Sequence, residues 1–230
     1  MYSFVDYRIT DIEINNLKKC GVIPIKVPKT NLVYDAINGH PDIQLAVVNS
    51  EVLVHKDIDS SFINILKDYN IAYSFSKNSL KNNYPGDIIL NGLITEEFFM
   101  HNLKYTDDNL LLALNNKPHF NVKQGYTKCS VLKIKENAFI TSDRLISNAL
   151  IKEGFDSLLV PPGDINLYGF DYGFIGGTGG MISENEIAFF GNLNNYLYGE
   201  NIKSFLKKHD VTPIYLSDSK LIDRGSIISI

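Results

Sequence analysis

The chain has 230 residues, 44% of them hydrophobic and 21% charged, with a formal net charge of −4 and no Trp. A domain of this length buries about 70–75% of its unfolded surface and needs neither a disulfide nor a structural metal. The acidic balance argues against a nucleic-acid or anionic-membrane partner, and no apolar run reaches the roughly 18 residues of a membrane span.

Two cysteines, Cys20 and Cys129, lie far apart in sequence, a usage that suits a reducing compartment. Residues 1–8 offer neither the basic nor the apolar stretch of a secretory signal. A cytoplasmic protein is expected, with residues 1–230 forming a single domain because no Pro/Gly/Ser-rich linker interrupts the chain.

In chain order, Thr10 and Glu13 are spaced as a capping box for a helix over 10–20, with Gly21 as its stop and a strand over 22–27. Apolar runs at 43–48 and 52–55, turned by Asn49-Ser50, form a hairpin. A helix over 60–69, a stop at Asn70 and a strand over 71–75 follow. A weaker copy places a helix at 106–115 and a strand at 119–123. The next hairpin, 130–134 with 138–141, precedes a helix over 142–153, a stop at Gly154 and a strand over 155–160. The last copy has a helix at 200–209, a strand at 211–216 and a closing run at 226–230.

Asp42, Asp87, Cys129, Phe174 and Ser226 mark the start of each hairpin, at intervals of roughly 45 residues when the count is closed through the chain ends. Five ββαβ units therefore consume the chain. The final run has no downstream partner, so pairing it with the strand at 2–5 closes a ring and removes exposed sheet edges. A serial α/β sheet with helices between strands is the alternative.

Five cyclic ββαβ units resemble the pentein fold, the five-bladed α/β propeller of guanidino-modifying enzymes such as arginine deiminase, amidinotransferase and dimethylarginine dimethylaminohydrolase. The segment His40-Pro-Asp-Ile-Gln-Leu-Ala-Val-Val48 is similar to the acidic strand of the dimethylarginine enzymes, and Tyr84-Pro-Gly-Asp-Ile-Ile-Leu90 to their Gly-Gly-Asp strand. Gly125-Tyr-Thr-Lys-Cys-Ser130 resembles the strand bearing their catalytic His, and Asp223-Arg-Gly-Ser-Ile-Ile-Ser229 the terminal strand bearing their nucleophilic Cys. The resemblance implies that N- and C-terminal strands share one blade and that Asp42 is a guanidinium-binding carboxylate. It puts Tyr126 at the His position and Ile228 at the nucleophile position. Guanidine hydrolysis by this route needs a thiolate and a proton shuttle. Ile cannot attack, a phenol of pKa about 10 shuttles poorly, and a one-residue shift brings only Ser229, without a neighbouring base.

Asp42 and Asp87 head equivalent strands, and ring symmetry points both at the centre, where paired carboxylates suit a guanidinium or amine. The alternative is that they cap turns. Asp223 takes the same cyclic position, with Arg224 beside it, and His40 borders the same pocket. Cys129 adjoins Lys128, whose ammonium would lower the thiol pKa and favour a nucleophile; a small buried hydrophobe is the alternative. The run 173–180 reads as a strand that bends where backbone approaches a ligand or a neighbouring strand. Gly177 would give backbone access there, and Thr178 the only polar side chain. Tyr168, Phe170, Tyr172 and Phe174 alternate as one face of a strand.

His40, His55, His101, His119 and His209 show no metal-ligand spacing, so neither a metal nor a cofactor is expected. The leading functional reading is a non-hydrolytic protein holding a small, polar, cationic ligand on His40, Asp42, Asp87, Lys128, Cys129, Gly177, Thr178 and Asp223. The alternatives are a guanidino-modifying enzyme with Cys129 as a relocated nucleophile, and a macromolecular interaction protein like the ribosome anti-association factor that shares this fold.

Overall fold

A computed structural model describes residues 1–230. In chain order the elements are β1 (Tyr2–Asp6), α1 (Asp11–Lys19), β2 (Ile23–Val27), α2 (Pro41–Gln44), β3 (Leu45–Val48), β4 (Glu51–Val54), α3 (Ser60–Asp68) and β5 (Tyr73–Phe75). Then come β6 (Leu93–Ile94), β7 (Phe99–His101), α4 (Asp108–Ala113), β8 (His119–Asn121), α5 (Thr127–Ser130), β9 (Val131–Lys135), β10 (Ala138–Thr141), α6 (Arg144–Lys152) and β11 (Asp156–Leu159). The chain closes with β12 (Gly179–Met181), β13 (Glu186–Phe189), α7 (Gly199–Lys208), β14 (Thr212–Tyr215) and β15 (Ile228–Ser229).

The strands form five separate three-stranded sheets, β15-β1-β2, β3-β4-β5, β6-β7-β8, β9-β10-β11 and β12-β13-β14. Each has the same grammar: the first two strands are antiparallel, and the third returns parallel to the middle one after a helix. One sheet joins the two ends of the chain, with Ser3 opposite Ser229 and Phe4 opposite Ile228. No helix is long and apolar enough to cross a membrane.

Local chemistry sets the boundaries. The Thr10 side chain accepts from the Glu13 amide, and the Glu13 carboxylate accepts from the Thr10 amide, so the capping box is formed at both ends. Asp59, Asp107 and Asp143 cap α3, α4 and α6. Gly21, Asn70, Gly154 and Asp210 take positive φ just past their helices, the left-handed conformation that ends a helix. Asn49 and Ser50 are both at positive φ, as a two-residue hairpin turn requires.

Five apolar clusters sit between the sheets. One joins Phe4 and Val27 of the β1 sheet to Leu45 and Val54 of the β3 sheet under Phe62 and Leu66 of α3. The next joins Ala46 and Leu53 to Phe99 under Leu110 of α4. Leu93 and Met100 meet Val131 and Phe139 under Ile146 and Leu150 of α6. Leu132 and Ile140 meet Ile187 and Phe189 under Ile202 and Leu206 of α7. The last cluster returns to the start, joining Ala188 and Leu216 to Val5 under Leu17 of α1. Each cluster thus joins two sheets, and α1, α3, α4, α6 and α7 each pack over one of these junctions.

Two expectations need correction. Residues 168–174 are not a strand but a loop, in which Tyr168, Phe170 and Tyr172 are exposed; alternation of aromatics there reflects glycines between them, not a pleat. The hairpins also begin later than expected. Asp42 and Cys129 lie in the short helical turns α2 and α5, Asp87 in a turn before β6, and Ser226 before β15. The first strands are shortened because their leading residues turn to meet one another at the centre.

His55 and His101 close the ends of β4 and β7; both are fully buried, and burial lowers each pKa to about 4. In the unfolded chain the value is about 6.5, so the unfolded state takes up more protons between those limits, and the associated stability is lost as pH falls through that window. His101→Gln removes one such group. In thermal denaturation at stepped pH, the stability gap between wild type and His101→Gln should narrow from neutral pH to about pH 4.5.

Candidate functional site: a buried polar hub and the channel beside it

The turns preceding β3, β6, β9, β12 and β15 converge, and each contributes to one hydrogen-bonded network. Asp42 Oδ2 accepts from Ser226 Oγ at 2.7 Å and from Cys129 Sγ at 3.1 Å. Lys128 Nζ donates to Ser226 Oγ at 3.1 Å, and the Gly176 carbonyl lies 2.8 Å from the same hydroxyl. Asn91 supplies the fifth member: its Nδ2 donates to the Asp42 carbonyl (2.8 Å) and to Cys129 Sγ (3.2 Å), while its Oδ1 accepts the Lys128 and Cys129 amides. Ser226 is held at φ 72°, a left-handed conformation that costs a non-glycine residue on the order of 1 kcal/mol.

Beside this network, the buried His40 ring lies between Asp223 (Nδ1 to Oδ1, 3.9 Å) and Asp6 (Nε2 to Oδ2, 4.0 Å), and neither nitrogen has a hydrogen-bond partner. Burial lowers the His40 pKa against the pull of these two carboxylates. Asp6 is paired with Arg8. Asp223 accepts the Phe174 amide at 2.8 Å and the Gly225 amide at 3.0 Å, so it organises two loops. Gly177 is required for that arrangement, because a Cβ there would fall 1.8 Å from Asp223 Oδ1.

Asp87 bonds elsewhere. Its Oδ2 accepts from Tyr126 Oη at 2.5 Å, and Tyr126 Oη lies 2.7 Å from Tyr34 Oη. The rings of Tyr84 and Phe174 each stand 6.0 Å from that of Tyr126. Burial and the Asp87 hydrogen bond push the Tyr126 phenol well above its ordinary range. Burial also raises the carboxyls of Asp42 and Asp87, and each keeps a buried Oδ1 with no partner.

A cavity of about 260 Å³ runs along the first strands of all five sheets. Its walls include Leu45, Leu90, Leu132 and Ile228, and Asp42 and Lys128 lie where it meets the hub. Val47, Ile94, Lys128, Lys133, Met181, Ile228 and Ser229 are its half-exposed lining residues.

Of the residues expected at a site, the fold brings His40, Asp42, Lys128, Cys129, Gly177 and Asp223 to this hub; Asp87 joins Tyr126 instead. Thr178 turns inward, its hydroxyl donating to the Ile175 carbonyl at 2.7 Å to close a 3₁₀ turn. That turn, Ile175–Thr178, stands in most of the bent strand expected over 173–180, of which only Gly179 and Gly180 lie in β12, and the glycines face protein: a Cβ on Gly176 would strike the carbonyls of Lys128, Cys129 and Val131. Adjacency to Lys128 predicted a lowered Cys129 thiol. Burial, followed by the charges of Asp42 and Asp223, raises it instead. Sequence reasoning missed Asn91, Asp6 and Tyr34, and took Ser226 only as a strand start. Asn91-Gly92 carries a turn signature, but nothing local announces the four bonds that Asn91 makes. No group of three or more His, Cys, Asp or Glu side chains is arranged to hold a metal ion.

Solved structures share this architecture. The chain is 8% identical to the DDAH of Pseudomonas aeruginosa complexed with citrulline, with a TM-score of 0.54 over 94% of this chain and 92% of that one. An amidinotransferase from Microseira wollei in the saxitoxin biosynthetic pathway gives 9% identity, a TM-score of 0.56, and coverage of 97% and 89%. The inosamine-phosphate amidinotransferase of Streptomyces griseus gives 11%, 0.57, and coverage of 94% and 77%. The fold is that of the pentein superfamily. The chain belongs to a family of unknown function (DUF6873), whose profile matches residues 4–228. No curated protein matches it in sequence.

Asn91→Ala strips the hub of its central amide and leaves buried donors and acceptors unpaired. Loss of about 2–4 kcal/mol is expected from urea unfolding. A change below about 1 kcal/mol would show that the network tolerates solvent.

Proposed function

We propose that this chain is a ligand-binding protein of pentein fold that holds a small cation, a guanidino or amine compound, without hydrolysing it. Its five sheets stand as blades of an α/β propeller around the channel, and the β1–β15 pairing closes the ring. The cyclic order of the apolar clusters and the cavity lined by every first strand support that arrangement.

The observation that carries the ligand class is the pair of buried, unpartnered carboxylate oxygens on Asp42 and Asp87. An unsatisfied buried acceptor costs about 1–3 kcal/mol, more when charged, and each is a partner that the N–H groups of a guanidinium or ammonium would satisfy. Asp87 lies in the turn that holds Asn91, and Asn91 in turn holds the Asp42 carbonyl. Against hydrolysis stand Ile228 on the cavity wall and the Tyr126 phenol, whose proton is held by Asp87. The enzyme reading with Cys129 as nucleophile is disfavoured by a raised thiol that donates to Asp42.

The test is a thermal-shift panel of arginine, agmatine, methylated arginines, citrulline and simple amines, with ammonia release followed in parallel. A cation at about 100 times its Kd adds about 2.7 kcal/mol, or roughly 5–10 °C at this length. The shift should vanish in Asp42→Asn and Asp87→Asn and persist in Cys129→Ser, with no ammonia released. Because both carboxyl pKa values are raised, affinity should fall on acidification earlier than for an ordinary carboxylate. Turnover abolished by Cys129→Ser would establish the enzyme instead. A flat panel would refute the cation reading and turn attention to the exposed rings of Tyr84, Tyr168, Phe170 and Tyr172 as a contact surface for a macromolecule.

A further inference from the structure

Lys128 is not accounted for by the reading above. Its ammonium carries three donors, yet its one hydrogen-bond partner is Ser226 Oγ, and no carboxylate lies within 4.0 Å of it. Asp42, the nearest acid in the network, is committed through Oδ2 to Ser226 and Cys129. An ammonium drawn out of bulk water without an ion pair is costly, and this one borders the cavity.

Apart from Asp42, whose Oδ1 has no partner, the other polar side chains of the cavity are occupied. Lys133 pairs with Glu136 at 2.7 Å, and Ser229 Oγ bonds to the Met181 carbonyl and to Ser3 Oγ. The remaining wall is largely apolar, contributed by Leu45, Leu90, Leu132, Ile227 and Ile228. At about 260 Å³, the space lies just below the 300–1,000 Å³ typical of drug-sized sites.

We propose that the cavity binds a small carboxylic acid with a compact apolar body, its carboxylate seated on Lys128 and its hydrocarbon against the five first strands. The spare donors of this ammonium match a monoanion; a phosphate dianion would bring more charge and more acceptors than the walls answer, and would meet the Asp42 carboxyl as well. This site shares the cavity and Asp42 with the cation reading, but it rests on Lys128, where that reading rests on Asp42 and Asp87.

Isothermal titration of the full chain with hexanoate, 4-methylpentanoate, hexan-1-ol and hexylamine tests it. Both carboxylates should bind, with the alcohol and amine at least about tenfold weaker. Lys128→Met should weaken hexanoate by about 10–100-fold, the equivalent of a lost charged hydrogen bond, and erase the preference for acid over alcohol. Val47→Phe, at a half-exposed position of the lining, should block all four probes while leaving the melting profile cooperative. Asp87→Asn should abolish the agmatine response yet leave hexanoate unchanged, so failure of one reading is distinct from failure of the other. Equal affinity for hexanoate and hexanol, hexanoate binding unaffected by Lys128→Met, or no binding of either acid at millimolar concentration would overturn the proposal. If Lys128→Met does not fold, the acid-to-alcohol ratio and Val47→Phe decide it.

Discussion

Closure of the chain on itself is the constraint on which the remaining structure depends. A three-stranded sheet has two faces and too few residues to cover either, so each sheet here is stable only between two others. The β1–β15 pairing supplies the neighbour that both ends would otherwise lack. It brings Ser3 against Ser229 and lets the cluster around Val5, Ala188 and Leu216 form from opposite ends of the sequence. Contacts of such separation require most of the chain to be ordered first, which makes the fold cooperative across all five units.

The same closure creates the polar hub. Five turns driven to a common centre carry backbone groups that cannot reach water, and each must find a partner. Asn91, Ser226 and Asp223 answer most of that demand by binding the backbone of other units. Some of it is left unanswered at the hub: Asp42 Oδ1, both nitrogens of His40, and spare donors on Lys128. Unsatisfied groups beside a cavity are where a ligand gains most, because it supplies partners that the protein does not.

Sharing the pentein fold with hydrolases and amidinotransferases, at 8–11% identity, fixes where a site can lie but not what it does. The Tyr126–Asp87 hydrogen bond joins two positions that the resemblance assigned to a proton carrier and a carboxylate. A phenol held by a buried carboxylate is a fixed donor rather than a shuttle.

The sequence by itself determined the local grammar. Thr10 and Glu13 cap a helix wherever it lies, Gly21, Asn70 and Gly154 end helices because they tolerate positive φ, and the apolar runs at 45–48 and 138–141 mark strands. Repetition of that grammar, with a last strand lacking a partner, made the pairing of the two chain ends legible. Asp42, Cys129 and Asp223 were legible as central because repeat spacing places them at equivalent turns. Their chemistry was decided only by tertiary structure. Whether Lys128 lowers the Cys129 thiol depends on how deeply both are buried and on Asp42, which is distant in sequence. Asn91 and Ser226 acquire their roles from groups on other sheets. The 173–178 segment becomes a 3₁₀ turn, since its glycines are pressed by carbonyls of another unit and by Asp223. Pattern along a chain reports what each residue can do locally; the environment that sets its charge and partners exists only after distant segments have packed.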